Sequence, residues 1–327
     1  MSILIAAFAT VIVLQDLVSH SNGEKDAFLY DVFPPDFQWG YASSSYQIEG
    51  AWKEDGKGLS IWDEFVHRNP SPINDGSSGD IACDSYHKYP EDVALLKFFG
   101  AGVYRFSLSW SRILPTGRID YINPAGIRYY NDLINLLIAN NIEPLITLHH
   151  WDLPQPLMDI GGWPIDEVIH HFTNFAHLAF STYGDRVKKW VTFNEPNLMC
   201  VNGYFTGAYA PGHGNVEETK HCVHNVIKAH ARTYRLYDKV FRPIQGGKIG
   251  MGLISYWVES RDSRNHNHKI LAETALQIQW GSFAHPIVFG KYPAGYNEAI
   301  YTLNKKLGLS SPPLEFTLAE SAEIRGT

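Results

Sequence analysis

The segment Thr192-Phe193-Asn194-Glu195-Pro196-Asn197 combines residue types that suit acid–base chemistry. Glu195 follows an amide and precedes a proline at the end of an apolar run, which is a poor place for a packing residue. Beside apolar neighbours such as Trp151, its carboxyl group could donate a proton to a leaving oxygen and later activate water. The alternative is a glutamate that pairs with an arginine or caps the next helix, and the spacing alone does not separate the two.

The apolar runs predict five β-strands, four of which end in polar or aromatic side chains. The predicted strands are Phe37–Tyr46, Val103–Trp110, Pro144–His150, Val187–Asn194 and Ile249–Val258. The residues at their ends are Gln47, His150 with Trp151 and Asp152, Asn194 with Glu195, and Glu259. Buried without partners, such groups would be costly, so they indicate a site at one edge of a sheet.

Stretches of helical periodicity separate the strands, at Pro90–Phe99, Asn123–Ile138, Asp166–Tyr183 and Thr219–Phe241. Repeated β–α units with apolar strands predict a parallel sheet covered by helices, either open and doubly wound or closed as a (β/α)8 barrel. No strand is followed by Gly-x-Gly-x-x-Gly, the pattern of a dinucleotide-binding sheet. Polar groups at several strand ends favour the (β/α)8 TIM barrel.

The number of units does not reach eight. Five predicted strand ends occupy residues 47 to 259, about fifty residues for each unit, and eight units at that spacing exceed the length of the chain. We expect a TIM barrel truncated after about five β/α units, with the fifth strand at an open sheet edge.

Composition excludes several classes of partner. The net charge of −7 lacks the basic surface that binds a phosphate backbone, so we expect no nucleic acid partner. The polar run Arg264–Lys269 contains His266 and His268, but without a Cys or acidic neighbour it predicts a solvated loop rather than a metal site. We expect no metal, no cofactor and no membrane partner, and the sequence does not indicate an oligomeric state.

The N-terminus predicts an exported protein, with a buried N-terminal helix as the alternative. Residues 1–22 carry an apolar run too short to span a bilayer but suited to a signal peptide, which leaves residues 23–327 as the domain. A secreted or lumenal location follows. Of Cys83, Cys200 and Cys222, the last two are the expected disulfide pair because they flank one loop.

A series of motifs resembles glycoside hydrolase family 1, in family order over residues 33 to 327. They begin with Phe37–Ala51 and continue through Asp55–Gly58, Ile61–Asp63, Tyr104–Arg112, His150–Pro154, Gly161–Trp163 and Phe193–Pro196. The resemblance implies a retaining β-glycosidase acting on β-D-glucosides or related O-glycosides. Plant myrosinases in this family have Gln at the acid/base position, whereas this chain keeps Glu195.

The resemblance also implies a role for each site residue. Glu195 matches the acid/base, and Asn194 matches the amide that binds the sugar 2-hydroxyl. Gln47 and His150 match residues that bind the 3- and 4-hydroxyls, and Trp151 matches the indole beside the sugar. Arg105 matches the arginine next to the nucleophile.

Three of these side chains have a purely structural alternative. Gln47 could be an amide bound to backbone, His150 a hydrogen-bonded core histidine and Arg105 the partner in a structural ion pair. Glu49 and Asp152 lie in the same motifs and are predicted to fix loops. His149 replaces the usual aromatic residue outside the sugar contacts.

One family motif is missing. The nucleophile of the family lies in Glu-Asn-Gly, and this sequence contains no such tripeptide. We therefore expect the 327-residue chain to be inactive by itself, as a truncated isoform, a fragment or an incomplete gene model. The competing hypotheses are a non-catalytic binding or receptor-type protein and a structural remnant that barely folds.

Overall fold

The structure, a computed structural model, describes residues 33–34 and 36–327. Within these residues the chain divides after Gln38, and Trp39–Thr327 forms one compact unit that contains every helix and strand given below. The predicted signal peptide, residues 1–22, lies outside the described residues. None of the helices in the described part combines the length and apolar character needed to span a bilayer.

Five parallel strands form one sheet in the order β1-β2-β3-β4-β5. Each strand is therefore paired with its neighbour in sequence. The predicted parallel sheet is confirmed. The strands are β1 (Gly40–Ala42), β2 (Val103–Ser107), β3 (Glu143–His149), β4 (Lys189–Asn194) and β5 (Lys248–Gly252).

Helices follow each strand, and several are short elements in the loops. The first seven are α1 (Ser45–Ile48), α2 (Ile61–Val66), α3 (Ser85–Phe98), α4 (Trp110–Ile113), α5 (Pro124–Ala139), α6 (Gln155–Asp159) and α7 (Glu167–Tyr183). The others are α8 (Pro196–Cys200), α9 (Val216–Leu236), α10 (Arg242–Gln245), α11 (His266–Leu276), α12 (Ser282–Phe289), α13 (Ala294–Lys306) and α14 (Leu318–Ile324), with π-helical turns at Val201–Phe205, Tyr237–Phe241 and Gln277–Gly281.

The core lies between the sheet and the long helices. Ile146 of β3 and Phe193 of β4 are buried in the same hydrophobic cluster as Phe172 and Phe175 of α7. The rings of Phe172 and Phe193 lie 4.5 Å apart. Burial of apolar and aromatic surface on this scale is the main stabilising contribution to such a layer.

Two predicted strands are much shorter than expected. The first was predicted as Phe37–Tyr46, but the backbone N–H of Ser45 donates to Ser107 Oγ at 2.7 Å, and the chain turns there into α1. The fifth was predicted as Ile249–Val258 and apolar on both faces. It ends at Gly252, and Trp257 beyond it is 79% exposed, so Glu259 is not a strand-end residue.

One helix prediction was wrong in its bounds, and one loop prediction was wrong in its secondary structure. The helix predicted as Pro90–Phe99 begins at Ser85, with Pro90 inside it. Its first turn is fixed from outside, since the backbone N–H of Tyr86 donates to Glu49 O at 3.0 Å. The polar run predicted as a loop at 264–269 starts α11 instead, because the Asn265 side chain accepts hydrogen bonds from two backbone N–H groups of the first turn.

Candidate active site

The predicted site residues gather at the carboxyl edge of the sheet. Gln47 lies in α1 just after β1, His150 and Trp151 directly follow β3, and Asn194 with Glu195 ends β4. Because the strands are parallel, their carboxyl ends share one edge. Arg105 lies within β2 and reaches towards the same edge through its long side chain, as its contacts show.

Asn194 is the centre of the group, with a hydrogen bond at each polar atom of its side chain. Its Oδ1 accepts from Arg105 Nη2 at 2.7 Å, and its Nδ2 donates to His150 Nε2 at 3.0 Å. Its backbone oxygen accepts from Trp151 Nε1 at 2.6 Å. Arg105 on β2 and the two residues that follow β3, His150 and Trp151, are therefore bound to one residue of β4 that is only 5% exposed.

His150 is a neutral imidazole in this arrangement. The amide nitrogen of Asn194 can only donate, so Nε2 of His150 accepts and Nδ1 carries the proton. Burial lowers the pKa of His150 to about 4, and the nearby charge of Arg105 adds to the shift. The Nδ1–H group is buried and has no hydrogen-bond partner among the described residues. His150 can thus exchange hydrogen bonds with a sugar hydroxyl without changing charge.

Arg105 is a half-buried cation held on both sides. Its Nε donates to Thr147 Oγ1 at 2.9 Å, in addition to the bond from Nη2 to Asn194. Burial lowers its pKa and the charge of Glu195 opposes that change, so the guanidinium stays protonated. No salt bridge of Arg105 occurs within residues 33–34 and 36–327, which argues against the structural ion pair. Thr147 was not anticipated, although its position on β3 is paired with β2.

Glu195 occupies a left-handed backbone conformation with φ of 44°. This conformation is rare for a residue with a side chain and is common at functional sites. The backbone N–H donates to Gly252 O at 2.7 Å, and the backbone oxygen accepts from Leu198 N and Met199 N at 3.0 Å each. Backbone bonds therefore hold Glu195 between the end of β5 and the start of α8.

The Glu195 carboxyl group is not used for structure. Glu195 is the N-cap residue that precedes α8, yet its side chain makes no capping hydrogen bond. It also forms no salt bridge with any residue in the described part of the chain. Both structural alternatives for this residue, a cap and an arginine pair, are thus absent from the structure, and the half-buried carboxyl group remains available for chemistry.

Gln47 and Trp151 are the two remaining predicted site residues at this edge of the sheet. Gln47 is exposed, and its side-chain amide makes no hydrogen bond with the described residues, so it is not tied to backbone as the alternative supposed. Trp151 has φ of 74° and is half-buried. Its ring lies 6.1 Å from that of His150 and 5.9 Å from that of Tyr209. An indole so placed presents a flat apolar face of the kind that sugar rings pack against.

The other residues singled out from the motifs are internal. Glu49 accepts from Tyr130 Oη at 2.5 Å and pairs with Arg112 Nε at 2.8 Å, so it fixes a loop as predicted. His149 is fully buried in a group of aromatic rings and accepts from Trp163 Nε1 at 3.3 Å. Burial lowers the pKa of His149 to about 3.

A disulfide secures the segment after Glu195. Cys200 ends α8 and is bonded to Cys222 in α9, which confirms the predicted pair. Cys83 is free and exposed. The helix that begins at the candidate catalytic residue is therefore cross-linked to the longest helix of the described chain.

Parallel β/α units with polar side chains at the carboxyl ends of several strands are the arrangement of the TIM-barrel fold class. The chain belongs to glycosyl hydrolase family 1, whose family model matches residues 29–327.

Curated relatives support the same assignment. The chain is 46% identical over 298 residues to myrosinase 1 of Brevicoryne brassicae. The alignment covers 90% of this chain and 64% of that protein. It is 46% identical over 319 residues to lactase/phlorizin hydrolase of Rattus norvegicus, covering 95% of this chain and 16% of the relative. Human cytosolic β-glucosidase is 41% identical over 298 residues, an alignment that covers 90% of this chain and 64% of that protein. The chain thus spans less than two thirds of each of these proteins.

Solved structures of the family superpose closely on the chain. The aphid myrosinase structure gives a TM-score of 0.87 at 44% identity, covering 90% of this chain and 64% of its own. The rice Os3BGlu6 β-glucosidase gives a TM-score of 0.82 at 39% identity, covering 90% and 62%. These neighbours are TIM-barrel β-glucosidases and their relatives, which confirms the predicted fold class.

Proposed function

We propose that this chain carries the acid/base side of a retaining β-glycosidase site, with Glu195 as the proton donor. The substrates of the family-length protein are β-D-glucosides or related O-glycosides, in keeping with the names of the relatives, among them β-glucosidase and lactase/phlorizin hydrolase. The observation that carries this proposal is the Glu195 carboxyl group, held at the end of β4 by backbone bonds and used for neither cap nor salt bridge.

The chemistry follows from where the groups lie. In the first step the Glu195 carboxyl group protonates the glycosidic oxygen as the bond to the sugar breaks, and in the second its carboxylate removes a proton from the attacking water. Asn194 keeps one N–H of its amide for the sugar 2-hydroxyl, since the other is bound to His150. Gln47 and His150 take the 3- and 4-hydroxyls, and Trp151 packs against the ring.

Arg105 has a separate role in the proposal. Its charge, held by Asn194 and Thr147, would keep a nucleophilic carboxylate ionised in the family-length protein. The 327-residue sequence contains no Glu-Asn-Gly, the motif of that nucleophile. We therefore propose that the 327-residue chain made by itself does not turn over glycosides, because no glycosyl-enzyme intermediate can form.

A hybrid protein tests the proposal. We define the hybrid as residues 40–327 of this chain joined to the C-terminal part of human cytosolic β-glucosidase that lies beyond the matched region. The hybrid is expected to release p-nitrophenol from a p-nitrophenyl β-glucoside, while the 327-residue chain gives only the rate of the buffer. Robust turnover by the 327-residue chain would contradict the inactivity, and a folded hybrid without turnover would contradict the enzymatic role.

A non-catalytic binding protein is the second candidate. It predicts that the chain binds a β-glycoside and that the folded hybrid stays inactive. We also propose a secreted or lumenal location, based on residues 1–22. Expression in a secretory cell line, followed by N-terminal sequencing of the protein in the medium, tests that location.

A further inference from the structure

Asp152 is a buried carboxyl group next to the proposed sugar site but outside it. It follows Trp151 and is only 2% exposed. It lines a cavity of about 10 Å³, enough for one water molecule, which none of Gln47, His150 and Glu195 lines. Asp152 therefore lies behind the site and cannot contact a substrate.

A chain of hydrogen bonds connects Asp152 to segments near the ends of two other strands. Asp152 Oδ2 accepts from Ser45 Oγ at 2.7 Å, and Ser45 Oγ also accepts from Ser107 Oγ at 3.1 Å. The backbone N–H of Ser45 donates to Ser107 Oγ at 2.7 Å. Ser45 opens α1, Ser107 ends β2 and Asp152 follows β3, so one chain of polar contacts links all three segments.

The position of Gln47 depends on these hydrogen bonds of Ser45. It lies two residues after Ser45 in a helix of four residues, and its side chain makes no hydrogen bond with the described residues. The backbone of α1 therefore sets where the Gln47 amide lies. The segment on the other side of the contact, just before Asp152, carries His150 and Trp151, which are fixed in turn by Asn194.

We propose that Asp152 is a positioning residue for sugar recognition: through Ser45 it holds α1, and with it Gln47, at a set distance from His150 and Trp151. This inference rests on the proposed function, since it assumes that these side chains bind the sugar. Asp152 acts through Ser45 and touches no reacting atom.

The surroundings of the Asp152 carboxyl group predict which substitutions of Asp152 should keep the hydrogen bond to Ser45. Burial raises the pKa of Asp152 to about 7, and the charge of Glu49 adds to this, while the Ser45 hydrogen bond and Lys57 oppose it. The carboxyl group accepts the Ser45 hydroxyl whether or not it carries a proton, because one oxygen remains an acceptor. Asn offers the same acceptor in the same shape, and Ala offers none.

The test compares Asp152→Asn, Asp152→Ala and Ser45→Ala with Asn304→Ala in the 327-residue chain. Asn304 is as buried as Asp152 and donates to Ser311 O at 2.6 Å, far along the chain from α1, so it controls for loss of a buried hydrogen bond. Binding of D-glucose is measured by tryptophan fluorescence and by saturation-transfer NMR. Backbone hydrogen exchange is followed at residues 45–48 and 150–152.

We expect Asp152→Ala and Ser45→Ala to weaken D-glucose binding about tenfold or more, while Asp152→Asn and Asn304→Ala stay within about twofold of the parent. Exchange at both segments should rise in the two weakened variants only. Unchanged binding in Ser45→Ala and Asp152→Ala would overturn the proposal even if their melting temperatures fell. Should Asp152→Ala fail to fold, Ser45→Ala alone decides.

A parent chain that binds no D-glucose would count against the proposed function and not against the link between α1 and β3. In that case backbone hydrogen exchange is the measurement that tests the positioning role of Asp152. Faster exchange at residues 45–48 and 150–152 in Ser45→Ala, absent from Asn304→Ala, supports the positioning role, and unchanged exchange overturns it.

Discussion

Nη2 of Arg105 donates a 2.7 Å hydrogen bond to Oδ1 of Asn194, across the width of three strands. Nε of the same guanidinium binds Thr147 Oγ1 on the strand between them. A planar guanidinium offers Nε and Nη2 as separate donors in fixed directions, whereas the donors of an ammonium group all belong to one freely rotating nitrogen. One arginine therefore sets the orientation of the amide that precedes Glu195.

Arg105→Lys should consequently loosen Asn194 although the charge is kept. Loss of one charged hydrogen bond costs about 1.5–3 kcal/mol of stability, so we expect the free energy of unfolding in urea to fall by about that amount. In the hybrid the same change should lower kcat/KM about tenfold or more. Arg264→Lys, at a residue whose side chain is 91% exposed, is the control and should change neither quantity. Equal effects of the two substitutions would show that the guanidinium geometry is unimportant.

Glu195→Gln in the hybrid should separate substrates by their leaving groups. An alkyl glucoside needs a proton on its departing oxygen and should lose about 10²–10⁴-fold in rate. A dinitrophenyl glucoside has an acidic leaving group and should form the glycosyl-enzyme intermediate almost as fast as before, measured as a pre-steady-state burst. Glu315→Gln, on an exposed residue, provides the control. Equal losses for both substrates would rule out Glu195 as the proton donor.

Stability should decline in mild acid because several histidines are buried as neutral rings. Burial lowers the pKa of His149 to about 3 and that of His230 to about 4. Each folded-state pKa lies below the unfolded value of about 6.5, so the unfolded chain binds more protons as pH falls below that value. Each buried neutral histidine therefore contributes its full stability above pH 6.5. This contribution is lost as the pH falls from 6.5 towards the folded-state pKa.

His149→Phe should therefore flatten the dependence of stability on pH. At pH 5 the parent loses about 2 kcal/mol through this residue relative to pH 7.5, and the variant does not. Loss of the bond from Trp163 Nε1 lowers stability at every pH, so the slope between the two pH values is the quantity to compare. Urea unfolding at both pH values measures it. His266→Gln, at an exposed ring, should keep the parent slope, and an unchanged slope in His149→Phe would contradict the account.

The isolated 327-residue chain should self-associate. β1 and β5 are the two ends of the described sheet, and large apolar side chains are exposed near them, including Phe98 at 80% and Trp257 at 79%. Edge strands and wide apolar surfaces both promote association. Size-exclusion chromatography with thermal melting measures it. A monodisperse monomer with one cooperative transition would contradict the expectation, and Phe98→Glu with Trp257→Glu should shift the chain towards monomer.

The central strands were predicted well and the outer ones poorly, for a physical reason. β3 and β4 are buried on both faces, so their apolar runs, 144–150 and 187–194, almost coincide with the observed bounds. β1 and β5 depend on contacts from elsewhere. The hydrogen bond from Ser45 N to Ser107 Oγ turns the chain into α1, and no local pattern records a partner 62 residues away.

The same distinction applies to the site. A Glu-Pro pair after an apolar run is visible in the sequence, and so are the residue types at the other strand ends. The bonds among them are not, because Arg105, His150 and Asn194 meet only when three strands are in register. Thr147 and Ser45 gave no sequence signal beyond being small hydroxyl residues in a strand and in a motif.

The disulfide between Cys200 and Cys222 turns the segment between them into a closed ring of chain attached at two fixed points. One of those points is the helix that starts at Glu195, and the other is α9. Length changes or substitutions within the ring are absorbed between the two anchors and need not displace the carboxyl group. We therefore expect residues 201–215 to be the segment where evolution, or a library of random variants, can alter the choice of substrate while the proton donor stays in place.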